Sequence, residues 1–335
     1  MERPADHPEI PSPRIGVLLI NLGTPDAPNA PAVRNYLAEF LSDRRVIEIP
    51  AIAWKPILHG IILRTRPKKS AHAYRQVWTE HGSPLAAITR RKAAAMQERL
   101  GNSAIVRHAM RYGKPSIAAE LHRMKAEGCE RILLAPLYPQ YCAATTATAN
   151  DRAFEVLAAT RWQPAIRTLP PYYDDPAYIA ALKANFERQL AGLDFTPERL
   201  LLSFHGMPQR TLALGDPYHC HCRKTARLLA EQLSIPVDVA FQSRFGRAKW
   251  LEPYAEPMLA SYPSQGVHKI AVAAPGFSAD CLETLEELGI RGRDTFLGAG
   301  GTDFALLECL NDSGEGMDLL DALVRRELAG WLPHA

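Results

Sequence analysis

Short unbroken apolar runs alternate along this chain with longer stretches of helical spacing. The runs at 14–20, 131–135, 199–203 and 269–273 are Ile-, Leu-, Val- and Ala-rich and carry no polar alternation. Such runs suit parallel strands buried on both faces rather than strands with one wet face. Amphipathic helical patterns lie between them, clearest at 116–127 and 178–190. Strand and helix in alternation predict an α/β fold with right-handed crossovers. A last helical pattern at 316–331 is expected to pack back on the first domain.

The two halves resemble each other. Leu-Leu-Ile-Asn-Leu-Gly-Thr-Pro at 18–25 parallels Leu-Leu-Ser-Phe-His-Gly-Met-Pro at 201–208, each an apolar strand running into Gly-x-Pro. Arg-Tyr-Gly at 111–113 parallels Arg-Phe-Gly at 244–246, and Gly128 to Ile132 parallels Gly266 to Ile270. The three matches keep their order, as duplication of one α/β domain would leave them. The expected organisation is a leader at 1–13, a first domain at 14–160, a second at 161–312 carrying the chemistry, and a terminal helix at 313–335. The first domain carries an insertion at 41–84, with Trp54, Ile57, Ile61 and Tyr74 beside Arg64, Arg66, Lys68 and Lys69. Apolar residues edged with basic ones fit the lip of a pocket for an apolar acid or contact with an anionic membrane surface. They equally fit a helix packed on its own domain.

Composition narrows the class. The chain of 335 residues has 39 Lys+Arg against 36 Asp+Glu, a net charge of +3, and 47% apolar residues. That is enough apolar surface to offset ordering entropy in two domains. No run approaches the roughly 18 apolar residues of a membrane span. The small basic excess forms no long run, so a nucleic-acid partner is not expected. The polar, Pro-rich start lacks the apolar core of a signal peptide and reads as the leader of a cytoplasmic protein. Six cysteines are too few for a disulfide scaffold. Phosphate-loop, His-Glu-x-x-His and Gly-x-Ser-x-Gly motifs are absent, and the glycines at 298–301 read as a turn.

Where the halves differ, chemistry is expected. Ligands of open α/β sheets bind beyond the carboxyl ends of strands. Leu22 holds that place in the first half and His205 in the second. Imidazole titrates near neutral pH and ligates metals. After the strand at 269–273, Ser278 reads as a helix N-cap, followed by Asp280, Glu283 and Glu287 at i, i+3 and i+7. Stacked carboxylates suit a divalent cation; they also suit the charge preference of a helix N-terminus or a solvated face. One imidazole with one carboxylate makes an open, weak metal site, suited to handing an ion on.

The motifs together resemble ferrochelatase. They are Leu-Ile-Asn-Leu-Gly-Thr-Pro-Asp at 19–26, Tyr-Pro-Gln-Tyr at 138–141 with Thr145 and Thr146, and Ser-Phe-His-Gly-Met-Pro at 203–208. Gly-Asp-Pro-Tyr at 215–218, Phe-Gln-Ser-Arg-Phe-Gly at 241–246 with Trp250, and Pro-Gly-Phe-Ser-Ala-Asp-Cys-Leu-Glu-Thr at 275–284 complete the set, spanning about 15–311. The resemblance implies two Rossmann-like domains, each a parallel sheet flanked by helices, enclosing a porphyrin cleft. It implies insertion of ferrous iron into protoporphyrin IX, with Fe2+ as substrate. By it, His205 is the catalytic histidine, Glu283 the metal-path carboxylate and Asp280 a further metal-side acid. Leu22, Arg111, Tyr112, Tyr138, Gln242, Ser243, Trp250 and Phe277 line the porphyrin site, with Arg111 or basic residues of the insertion facing the propionates.

The resemblance has two departures. Animal members carry histidine where this chain has Cys281, and their C-terminal cysteine cluster for a [2Fe–2S] centre has no counterpart after Cys309. Some bacterial members bind a cluster through other cysteines, for which Cys220 and Cys222, in His-Cys-His-Cys at 219–222, are the candidates here. Coproporphyrin, or another tetrapyrrole or metal, is the alternative substrate, and a non-catalytic tetrapyrrole or metal carrier the alternative class. Peripheral contact with the inner membrane surface and with an upstream porphyrinogen oxidase completes the expected set of partners.

Overall fold

The computed structural model describes residues 13–246 and 248–332, so the leader expected at 1–13 lies outside the described residues apart from Pro13. Among the described residues, eight strands form two four-stranded parallel sheets. The first contains β1 (Arg14–Gly23), β2 (Ile105–Tyr112), β3 (Cys129–Pro136) and β4 (Ala165–Thr168), in the order β2-β1-β3-β4. The second contains β5 (Arg199–His205), β6 (Val237–Gln242), β7 (Lys269–Ala273) and β8 (Asp303–Leu307), in the order β6-β5-β7-β8. The topology is repeated strand for strand. Gly16 pairs with Ile132 in the first sheet and Arg199 with Ile270 in the second, the positions that the sequence repeat equates. The Arg-aromatic-Gly match is not equivalent in space. Arg111 and Tyr112 lie within β2, whereas Arg244 and Phe245 lie past the end of β6.

The first sheet takes its fourth strand from beyond residue 160, correcting the boundary expected there. β4 is four residues long and half-exposed, Ala-Ile-Arg-Thr, so it leaves no apolar run in the sequence. Helix ends follow local chemistry. Ser116 caps Ile117–Ala126, Asp175 caps Pro176–Ala191 and Ser313 caps Gly314–Glu327, each side chain accepting an orphan backbone N–H.

The central core is continuous between the domains, with Val17 and Leu19 of β1 and Leu200, Leu202 and Phe204 of β5 in one apolar cluster. The terminal helix Gly314–Glu327 adds Leu320, Leu323 and Val324 to it and bonds the first domain through Arg99 to Asp318 at 2.8 Å. Within the insertion, Ala51–Ile57, Leu58–Ile62 and Leu63–Val77 form a run of helix, π-turn and helix. Leu58, Leu63, Ala71 and Tyr74 bury one side of it, while Ile52, Ile57 and Ile61 are exposed. None of the described helices is long and apolar enough to cross a membrane.

Candidate active site

His205 closes β5 directly opposite Gln242, the last residue of β6. Gly206 follows because nothing larger fits: a Cβ there would stand 2.5 Å from the Gln242 carbonyl oxygen. His205 Nδ1 lies 2.7 Å from the Gly206 carbonyl oxygen. A carbonyl only accepts, so Nδ1 carries a proton and Nε2 is the ring nitrogen left to face the cleft chemistry.

Gln242 is a buried clasp rather than a porphyrin contact. Its Oε1 accepts from Ser203 Oγ at 2.7 Å and its Nε2 donates to the Glu283 carbonyl at 2.7 Å. One amide thus ties the strand bearing His205 to the start of the helix bearing Glu283. That helix, Glu283–Gly292, is a π-helix. Positions four apart fall on one side of this helix, as they would on an α-helix. Glu283 and Glu287 are therefore stacked along one side. Ser243 serves this row: its N–H and Oγ donate to the two Glu287 oxygens at 2.7 and 2.5 Å, from a backbone φ of 64°.

The helix does not begin at Ser278, as its N-cap reading required. Residues 278–279 form a bend, 280–281 are irregular, and Asp280 is drawn into the body of the second domain. It is 4% exposed and accepts from Thr284 Oγ1 at 2.8 Å, Asn311 Nδ2 at 2.6 Å and the Cys309 N–H at 3.3 Å. Three donors occupy this carboxylate, so it holds the loop instead of facing an ion. Cys281 is buried beside Glu283, and burial first, then the Glu283 charge, pushes its thiol well above the usual range. Tyr74, from the insertion, faces the same carboxylate from the first domain; burial, then the Glu283 charge, raises its phenol. Tyr36 is raised by burial with contributions from Tyr74 and Glu283. These two phenols carry no motif that sets them apart from core tyrosines in the sequence.

The expected porphyrin-lining residues divide. Leu22, Tyr138 and Phe277 keep partial exposure at the cleft. Tyr112 is fully buried and Trp250 is 4% exposed, so both support the wall from behind. Arg111 is not free for a propionate. Its guanidinium pairs with Asp43 at 2.5 Å and its Nε donates to Thr148 Oγ1 at 2.7 Å. Tyr112 Oη donates to the same Asp43 carboxylate at 2.8 Å. Arg66, half-buried in the insertion, sits 5.4 Å from the Phe245 ring across the mouth, and burial lowers its pKa. Among the described residues no carboxylate pairs with it.

The Cys220 and Cys222 cluster reading does not fit the geometry. Cys220 is exposed and Cys222 is wholly buried, on opposite sides of the helix Tyr218–Ala230. Among the described residues no group of three or more His, Cys, Asp or Glu is arranged to hold a metal. The histidine between them joins the domains instead. His221 Nδ1 accepts the Tyr141 N–H of the first domain at 3.2 Å, and its ring stacks on Tyr173 at 3.6 Å.

Two solved structures share this architecture at low sequence identity. SirB from Bacillus subtilis superposes with a TM-score of 0.55 at 12% identity, covering 95% of this chain and 97% of its own. CbiX, the terminal enzyme for biosynthesis of siroheme in denitrifying bacteria, gives 0.52 at 16% identity, covering 93% and 98%. The fold is that of the two-domain chelatases. At the sequence level, the ferrochelatase family profile matches residues 14–328. The ferrochelatase of Rhizobium meliloti (strain 1021) is 52% identical over 339 residues, 99% of this chain and 100% of the relative. That of Agrobacterium fabrum (strain C58 / ATCC 33970) is 52% identical over 336 residues, 98% of each. The chain belongs to the ferrochelatase family and is an enzyme that inserts iron into a porphyrin in haem synthesis.

Proposed function

We propose that the porphyrin is protoporphyrin IX, that His205 accepts a pyrrole proton and that Glu283 delivers the metal. The observation carrying this reading is the shared clasp. Gln242 pairs with His205 in the sheet and its side chain holds the Glu283 carbonyl, so the backbones that carry imidazole and carboxylate are tied through one residue. Metallation requires two pyrrole N–H bonds to break as Fe2+ exchanges water for four ring nitrogens, releasing two protons. Nε2 of His205 takes up a ring proton. Glu283 replaces part of the ion's water shell, and Glu287, next in line, offers protons an exit toward solvent. Asp280 acts through Thr284 as a positioning residue.

The preference for protoporphyrin rests on charge at the mouth. With Arg111 committed to Asp43, Arg66 remains as the half-buried unpaired cation there among the described residues, beside exposed Ile57, Ile61 and Phe245. Exposed apolar side chains at this rim suit a porphyrin with two carboxylates better than one with four. Comparing kcat/KM for protoporphyrin and coproporphyrin under anaerobic Fe2+ tests this; faster coproporphyrin turnover overturns it. The same exposed isoleucines, with Ile49 and Ile52 and with Lys68 and Lys69 exposed nearby, support a cytoplasmic protein that touches the anionic inner membrane surface. A porphyrinogen oxidase at that surface would supply the substrate. Co-sedimentation with anionic vesicles checks the contact, and equal binding by Ile52→Ser/Ile61→Ser overturns it.

A further inference from the structure

The helix Pro84–Leu100 of the first domain turns Leu85, Ile88 and Lys92 onto one face. Leu85 and Ile88 pack on Phe277, Ala279 and Cys281, the loop between β7 and the π-helix. Lys92 occupies the next place in that apolar row and is 3% exposed. Its Nζ donates to the Ser278 carbonyl at 2.5 Å, joining residues of opposite domains. Asp280, Asp312 and the Cys309 thiol face the ammonium, and the neighbouring Arg91 already binds Asp312 at 2.6 and 2.8 Å. Burial draws Lys92 down to about 8, against the pull of those three groups, so at neutral pH it remains a cation. A buried cation is costly, and an apolar side chain of similar length would extend the Leu85 and Ile88 packing without that cost. Apolar packing therefore gives no reason for lysine at this place.

The contact itself gives one. The Ser278 carbonyl lies in the bend that leads to Asp280, and Asp280 is bonded to Thr284, the residue directly after Glu283. Thr284 Oγ1 also accepts the Cys281 N–H at 3.1 Å. Lys92, Ser278, Asp280 and Thr284 make a continuous line from the first domain to the foot of the metal-side carboxylate. We propose that Lys92 is a positioning residue for metallation: from the first domain, its ammonium fixes the loop that sets where Glu283 enters the cleft. This rests on the reading of Glu283 as a metal ligand.

Groups that orient a ligand without touching the metal change affinity by about 10–100-fold when replaced. In Lys92→Met the KM for Fe2+, and the Kd for Zn2+ measured without porphyrin, should rise by about tenfold or more on that basis. Porphyrin affinity, read by fluorescence, should stay within about twofold, because the substitution touches the metal-side loop and leaves the porphyrin walls in place. Lys92→Gln, which keeps a donor for the carbonyl, should recover part of the metal affinity, and it reads the same quantity if Lys92→Met fails to fold. Wild-type metal affinity in both variants, or a joint loss of metal and porphyrin affinity, overturns the proposal. Glu283→Gln measured alongside separates the two readings. If it binds metal normally, the Glu283 assignment itself falls; if it binds poorly while the Lys92 variants do not, the positioning role alone falls.

Discussion

The Asp43 carboxylate shows how one charge can organise a wall of the cleft. Burial works against its ionisation, yet the hydrogen bonds from Thr148, the Arg45 N–H and Tyr112, with the Arg111 charge, hold it below the usual carboxylate range. Its stabilising contribution is present at neutral pH and is lost as pH falls through that lowered value. Asp43→Ala leaves Arg111 buried without its partner and should cost about 3–5 kcal/mol in chemical denaturation. An unchanged unfolding midpoint would show the network to be slack. Gly23 is equally specific: it has φ 113°, and a Cβ there would lie 1.8 Å from the Tyr112 carbonyl oxygen. Gly23→Ala should therefore give little soluble, porphyrin-binding protein, and a normal yield of active enzyme would contradict that geometry. For His205→Ala, loss of the proton acceptor should lower kcat by about 10²–10⁴-fold with the fold intact by circular dichroism. His205 was legible because it breaks the symmetry of two repeated strand ends. The partners of Arg111, Gln242 and Ser243 were not legible: Asp43, Glu283 and Glu287 lie tens of residues away, and no local pattern announces a tertiary bond.

At the scale of elements, a helix was readable after β7, but its kind and its start were not. Apolar spacing at 282–292 is compatible with α or π geometry, and the pull of Asn311 and Cys309 on Asp280 decides where the turn begins. The helix Tyr218–Ala230 gives a second case, in which a metal-like His-Cys-His-Cys motif is used for docking the domains. His221 accepts the Tyr141 N–H through Nδ1, which it can do only while that nitrogen is unprotonated. Burial lowers the His221 pKa below 6.5, as it does for His219 and His108. The unfolded chain then binds more protons than the folded one as pH drops below about 6.5, so acid destabilises the fold. Tm should fall between pH 7 and pH 5, and less steeply in His221→Gln. Parallel slopes for the two proteins would remove His221 from the acid response.

Across the whole molecule, the apolar core runs without a break from β1 to β5 and under the terminal helix. Gln140 to Thr225 at 3.1 Å and the Ala143 N–H to Asp216 at 2.8 Å add polar ties at the same seam. Domains that share one core lose it together, so calorimetry should show a single transition with calorimetric and van't Hoff enthalpies in agreement. Two resolved transitions would mean that the halves are separately stable. The price of this rigid seam is that the cleft must be kept open by walls already saturated with their own bonds: Arg111 on Asp43, Ser243 on Glu287, Asp280 on Asn311.

By itself the sequence determined the α/β alternation, the doubled domain and the two side chains, His205 and Glu283, that break its symmetry. Those features are written in local periodicity and in short motifs, where the signal is carried by neighbouring residues. Tertiary structure alone decided which charges are free. The coupling of Lys92 to Ser278, the neutralisation of Arg111, the bond of Ser243 to Glu287 and the opposed Cys220 and Cys222 all depend on which distant groups meet once water is excluded. A buried polar atom must find its partner wherever the fold supplies one, and the linear order of residues does not say where that will be.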